Sequence, residues 1–227
     1  MVKYYAIIVA GGKGNRMNHS VAKQFLELEG KPILMHTMEA FLKCVLNPEI
    51  ILVLNIRQHD YWAELCRVHQ FTIPHKVISG GQERFDSVKN GLDVIHGDAV
   101  VAVHDAVRPL VTPELILASY KMAEEQGNAI AAIRPVDSVR IKKDGKASEA
   151  LNRDELYLIQ TPQTFSIEQL KAAYQQPYQN SFTDDASVVE KAGFDIHILT
   201  GERSNIKITY AEDLEMASFF LHKNNGS

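Results

Sequence analysis

Short runs at 4–10, 50–55, 76–79, 99–104 and 129–134 are apolar nearly end to end, with helical patterns between them. A sheet with one face in water would show alternation instead. Unbroken runs of Val, Ile, Leu and Ala expect both faces to be covered, as in a parallel sheet with helices on each side. The helical patterns fall at about 32–46, 58–70, 83–96 and 112–126. Pro32 and Pro113 stand where a first helical turn accepts proline, and Thr112 is a suitable N-cap. The chain is therefore expected to form an α/β fold, a doubly wound, mostly parallel sheet that binds ligands at the carboxyl ends of its strands.

Several function classes drop out on charge and composition. A net charge of −4 over 227 residues gives no broad surface for nucleic acid or anionic membrane. Any anion must be bound locally by a few converging basic side chains. The two cysteines, Cys44 and Cys66, lie inside helical patterns, and their spacing suits neither a disulfide framework nor zinc. They are expected to be buried, reduced thiols. The opening residues lack the basic and long apolar regions of a secretory signal, and no apolar stretch is long enough to span a bilayer. A soluble, cytoplasmic protein is expected.

One segment breaks the alternation. Residues 135–158 read as two extended stretches around K-K-D-G-K, where Asp144-Gly145 is a hairpin turn signal. A lone two-stranded ribbon is marginal in water, so it is expected to pack on something, most economically a second subunit. A charged surface loop is the alternative. After it come a short helix opened by Ser166, a helix at about 184–193, a strand at 195–200 and the strand-like run at 206–209. A last helix begins near Thr209, where T-Y-A-E has capping-box spacing. With no repeats or linker, a single domain with a protruding arm is the simplest organisation.

The chemistry-bearing residues gather after strands. The first strand runs into A-G-G-K-G-N-R-M at 10–17, where glycines let backbone amides approach phosphates. Met17 occupies the third glycine position of a dinucleotide fingerprint, and the Gly-Lys-Ser/Thr of a P-loop is absent. Arg16 and Lys23 in the same loop suit a polyphosphate, although a solvated basic loop has the same composition. A second glycine turn, S-G-G-Q-E-R-F-D-S-V-K-N-G-L, follows the third strand, and its backbone can grip a base. The fourth strand ends in V-H-D-A-V-R-P. There Asp105 can hold Mg²⁺ or a ribose or polyol hydroxyl, and Arg108 can pair with a phosphate. A local Asp–Arg ion pair is the plainer reading, and His104 reads as a packed strand residue. Arg153, Q-T-P-Q at 160–163, F-T-D-D-A-S-V-V-E from Phe182, and Asn205-Ile206-Lys207 are each ambiguous alone.

Together these motifs resemble the 2-C-methyl-D-erythritol 4-phosphate cytidylyltransferase family over nearly the whole chain, with a Rossmann-like nucleotidyltransferase fold. The resemblance rests on A-G-G-K-G-N-R-M with K-Q-F, G-G-Q-E-R-F-D-S-V-K-N-G-L, H-D-A-V-R-P, Q-T-P-Q, T-D-D-A-S-V-V-E and N-I-K-I-T, in that order. It implies that Ala10, Gly11, Gly12, Gly81, Gln82 and Ser87 surround the cytidine, with Asp105 within reach of a ribose hydroxyl. Arg16 and Lys23 fall on catalytic cations at the triphosphate. Asp105, Arg108, Thr183 and Lys207 fall on the polyol-phosphate site, with Thr161 close by. Ser138 and Arg153 fall on arm positions that reach a partner subunit's site, which implies a homodimer. Mg²⁺ is the implied cofactor.

Two departures stand out: Ala22 replaces the proline usual before the loop lysine, and Ser138 replaces a common threonine, keeping the hydroxyl. The related ribitol 5-phosphate cytidylyltransferases tend to carry H-D-S-V-R-P and T-D-A-C, whereas this chain has H-D-A-V-R-P, T-D-D-A-S and Ser87-Val88. A non-catalytic nucleotide sensor on the same scaffold is expected to lose Lys23, Arg16 or Asp105, and all are present.

Overall fold

A computed structural model describes residues 2–10 and 21–225. The chain opens with β1 (Lys3–Val9), and a small hairpin of β2 (Glu27–Leu28) and β3 (Lys31–Pro32) leads into α1 (Ile33–Leu42). Strands and helices then alternate through β4 (Glu49–Leu54), α2 (His59–Val68), β5 (His75–Ser79), α3 (Arg84–Leu92), β6 (Ala99–Asp105), α4 (Pro113–Gln126) and β7 (Asn128–Ile133). The arm carries β8 (Arg140–Ile141) and β9 (Glu149–Ala150). It is followed by β10 (Leu158–Ser166), α5 (Ile167–Ala173), α6 (Asp185–Lys191), β11 (Ile198–Thr200) and α7 (Ala211–Asn225).

The main sheet has the order β11-β7-β10-β6-β1-β4-β5. All its neighbours are parallel except β10, which runs antiparallel to both β6 and β7. Alternate residues of the central strands feed two different cores, as the pleat requires. Ala6, Ile8, Leu52 and Ala102 meet Met35, Met38, Trp62, Ile116 and Tyr120 of α1, α2 and α4. Ile7, Val53, Val101 and Val103 meet Phe85, Val88, Leu170 and Val189 of α3, α5 and α6. Each large aliphatic side chain buried this way contributes about 1.5–3 kcal/mol. The helices begin where their caps are. Thr112 Oγ1 accepts from the Leu115 amide with Pro113 behind it, and Ser166 Oγ accepts from the Gln169 amide. Gly127, at φ 87°, ends α4 in a left-handed conformation that glycine adopts without a Cβ penalty.

Three expectations need correction. The longest strand, β10, was not expected, because Gln160, Thr161, Gln163 and Thr164 make no apolar run and yet are all buried. The run at 206–209 is not a strand. Ile208 is held by its amide bond to the Val107 carbonyl (2.9 Å) and packs with Leu28, Ile33 and Ala217 under α7. Finally, α7 is not opened by a box from Thr209 to Glu212. The Asp213 carboxylate, one residue further on, accepts from the Thr209 and Tyr210 amides at 2.7 and 2.8 Å.

The arm is a thin ribbon. Arg140 pairs with Ala150 and Ile141 with Glu149, around a turn containing Gly145 at φ 72°. Every residue from 140 to 155 is exposed.

Candidate active site

Parallel register brings the strand ends level. Val9 stands beside Asp105, the Ala10 amide donates to the Val53 carbonyl (2.8 Å), and the Ala106 amide donates to the Val9 carbonyl (3.1 Å). This is the carboxyl edge where doubly wound sheets hold ligands. Gln24 fastens the K-Q-F turn to that edge through its side-chain amide, which donates to the Ala10 carbonyl and to Gln58 Oε1, both at 3.0 Å. Lys23 is thereby set at the rim, its ammonium donating to the Thr209 carbonyl at 2.6 Å. Gly11, Gly12 and Arg16 lie outside the described residues.

The second glycine turn is built by its own bonds. Ser87 Oγ accepts from the Gly81 amide (3.1 Å) and donates to the Glu83 carbonyl (3.0 Å), while Glu83 and Asp86 form a reciprocal capping box. A Cβ on Gly81 would overlap that of Asp86, so only glycine fits this approach. Gly81 and Gln82 are exposed and Ser87 is buried, so the turn offers backbone outward over a braced floor.

Asp105, at the end of β6, is the hub. Its amide donates to Thr161 Oγ1 (3.1 Å). Lys207 Nζ lies 2.9 Å from Oδ2, Arg108 Nε 3.5 Å from Oδ2, and Arg84 Nε 3.7 Å from Oδ1. Burial alone would push the Asp105 carboxyl up. Arg84, Lys207 and Arg108 outweigh it and hold the group well below the usual carboxylate range. Removing one partner from such a buried set typically costs about 3–5 kcal/mol. Burial lowers the Arg108 pKa, and its Nη1 donates to the Asn205 carbonyl (2.8 Å), so Arg108 braces the 205–208 segment as well as Asp105. Lys207 differs: its side chain is 49% exposed, open to an incoming anion. His104 is fully buried, edge-on to Phe41, and burial lowers its pKa to about 4, so it is neutral at pH 7 and takes no proton.

The described residues do not fit a protein-held Mg²⁺. A dication at Asp105 would meet three fixed positive charges, and among the described residues no group of three His, Cys, Asp or Glu side chains converges. The metal-ligand reading of Asp105 therefore gives way to that of an ion-pair hub.

The other expected residues divide into two groups. Thr161 joins the hub through the Asp105 amide, and its carbonyl accepts from Asn205 Nδ2 (2.8 Å). Thr183 is exposed just ahead of α6, its amide donating to Ser187 Oγ (3.1 Å). Ser138 and Arg153 stay exposed on the arm, and Arg153 Nη1 donates to the Val136 carbonyl (2.6 Å). Two contributors were missed by sequence reasoning, Arg84 and Asp185, which form a bidentate pair at 2.9 and 2.7 Å. The signal was present: a cation in a first helical turn opposes the helix dipole and needs a partner, and T-D-D holds one more Asp than a cap requires.

The model of the family described as 2-C-methyl-D-erythritol 4-phosphate cytidylyltransferase matches residues 4–223. The chain belongs to that family. A relative of that name from Bacteroides thetaiotaomicron is 48% identical over 220 residues, covering 97% of this chain and all of the relative. One from Porphyromonas gingivalis is 47% identical over 222 residues, covering 96% of this chain and 98% of the relative. Among solved structures, the 4-diphosphocytidyl-2C-methyl-D-erythritol synthase of Anaerococcus prevotii superposes with a TM-score of 0.83 at 29% identity, over 97% of this chain and 96% of that one. The Francisella tularensis cytidylyltransferase gives 0.78 at 31%, over 96% and 99%. For a cytidylyltransferase of this family the arrangement is apt. On a chain of net charge −4, Arg84, Arg108 and Lys207 converge on one carboxylate, Asp105, and Lys23 stands at the rim. Among the described residues, no helix is long and apolar enough to cross a membrane.

Proposed function

We propose that this chain transfers the cytidylyl group of CTP to 2-C-methyl-D-erythritol 4-phosphate and releases pyrophosphate. The observation that carries the reading is the half-exposed Lys207 ammonium, fixed by Asp105 at 2.9 Å on the same strand edge as the glycine turn and Lys23. A phosphate monoester has its second pKa near 6, so the attacking oxygen is already anionic at neutral pH. That explains why a site with a buried, neutral His104 suffices: no base is needed. The difficulty is repulsion between a dianion and a triphosphate, and fixed cations offset it without reorganising. Lys207 receives the attacking phosphate. Its oxygen forms a bond to the α-phosphorus as the bond to the pyrophosphate oxygen breaks, and Lys23, with Arg16 by motif, takes the charge growing on the leaving group. Asp105 keeps Lys207 aimed and accepts from a polyol hydroxyl, with Thr161 bonded to its amide. With no fitting donor set among the described residues, a Mg²⁺ ion is best carried by the nucleotide's own phosphates.

The reading includes a homodimer. A ribbon with two ladder pairs and wholly exposed residues needs a second surface, and an exposed guanidinium such as that of Arg153 needs an anion if it is to bind one bidentately. A partner's site meets both needs.

The test is a pyrophosphate-release assay with CTP, ATP and UTP against several polyol phosphates. CTP with methylerythritol 4-phosphate should far exceed every other pair. Preference for ribitol 5-phosphate, or indifference to the base, would sink the assignment.

A further inference from the structure

Arg84, Asp185 and Tyr174, the last two buried and the first partly so, form a polar cluster to which the transfer steps assign no part. Asp185 is fully buried, takes two hydrogen bonds from the Arg84 guanidinium, and takes a third from the Tyr174 hydroxyl at 2.6 Å. Neither residue is the cap of its own helix. The cap of α6 is Asp184, whose Oδ1 accepts from the Ser187 amide at 2.9 Å. The turn before α3 is held by Glu83, Asp86 and Ser87. Burying an ion pair that caps nothing is costly compared with apolar packing, so its outward contact indicates its use. Arg84 Nε faces Asp105 Oδ1 at 3.7 Å, while Lys207 and Arg108 both face Oδ2.

A second tie runs alongside. Gln163 of β10, two residues beyond Thr161, donates to Asp184 Oδ2 (2.9 Å) and accepts from the Ala186 amide (2.8 Å). The start of α6, just after Thr183, is thus fastened both to β10 and, through Asp185, to Arg84.

We propose that Arg84, fixed by Asp185 and Tyr174, is a positioning residue for the polyol phosphate: it holds Asp105 from the Oδ1 side, so that Oδ2 aims Lys207, and locks the Thr183 segment beside it. This rests on the transfer reading above. Nucleotide binding is largely independent of Arg84, because the glycine turn keeps its own bonds.

Arg84→Gln alone would leave a buried carboxylate without its cation, so the principal variant is the neutral pair Arg84→Gln/Asp185→Asn. It should fold, as judged by circular dichroism and melting, and keep a near wild-type KM for CTP. Its kcat/KM for the polyol phosphate should fall about 10- to 100-fold, the scale expected of a small misplacement at a reacting centre. Arg84→Lys keeps the charge but not the two-pronged grip, and should recover part of that loss. A folded pair variant with wild-type kcat/KM, or with a loss shared equally by CTP, overturns the inference. If the pair variant fails to fold, Arg84→Lys decides, and an unchanged kcat/KM for the polyol phosphate overturns it. A wild-type protein inactive with every polyol phosphate overturns the transfer reading itself; an active one with an indifferent variant overturns this inference alone.

Discussion

Replacing Lys23 with alanine should lower kcat by roughly 10²–10³, the cost of removing one preorganised donor from a developing charge. Losing its charged hydrogen bond to the Thr209 carbonyl, at a partly buried rim, should cost about 1.5–3 kcal/mol of stability. The two effects separate cleanly because Gln24, not Lys23, anchors the turn to the Ala10 carbonyl. Steady-state kinetics with CTP varied at saturating polyol phosphate, beside a thermal melt, make the comparison. A raised KM with kcat intact would mean that Lys23 grips the ground state and the transition state equally. That result would remove it from the chemical step.

Arg153→Ala should impair use of the polyol phosphate far more than binding of CTP, because a guanidinium grips phosphate bidentately and alanine offers nothing in its place. Arg153 is exposed on a ribbon with two ladder pairs, bonded to the Val136 carbonyl of its own arm. If it works in the partner's site, two defective proteins can rescue each other. Mixing Arg153→Ala with Lys23→Ala under subunit exchange gives one site that combines an intact Lys23 with an intact Arg153 and one that lacks both. Random exchange makes about half the dimers mixed, so about a quarter of wild-type activity should return. A dimer by sedimentation whose mixing restores nothing would place Arg153 outside its partner's site. A fully active monomer would reject the arm hypothesis.

How far the sequence could be read follows from what each element buries. Strands β1, β4, β5, β6 and β7 were legible to within a residue or two, four of them as apolar runs between two helical layers and β5 as a partly buried edge strand. Strand β10 was hidden: its interior includes Gln160, Thr161, Gln163 and Thr164, polar residues that become acceptable only once partners exist elsewhere. Gln160 Nε2 donates to the Glu202 carbonyl (2.8 Å) and Thr164 Oγ1 to Ser119 Oγ (2.9 Å), partners distant in sequence. Asp105 and Lys207 could be picked out by motif, since each stands in a short distinctive run. That Lys207 would lie against Asp105 could not be read, because residues 205–209 are irregular and held by scattered bonds to β10 and to the segment after β6. The charges around Asp105 were unreadable for a related reason: a carboxylate's suitability for a cation depends on its neighbours, and two of its three come from remote segments.

The central claim is that an oxygen of the polyol phosphate attacks the α-phosphorus of CTP directly. It is tested by placing a heavy-oxygen label on the non-ester oxygens of methylerythritol 4-phosphate and following the reaction by phosphorus NMR and mass spectrometry. The account predicts that all the label stays in the nucleotide product, including the oxygen bridging its two phosphorus atoms, and that the released pyrophosphate carries none. Label in the pyrophosphate, or an unlabelled bridge, would contradict it.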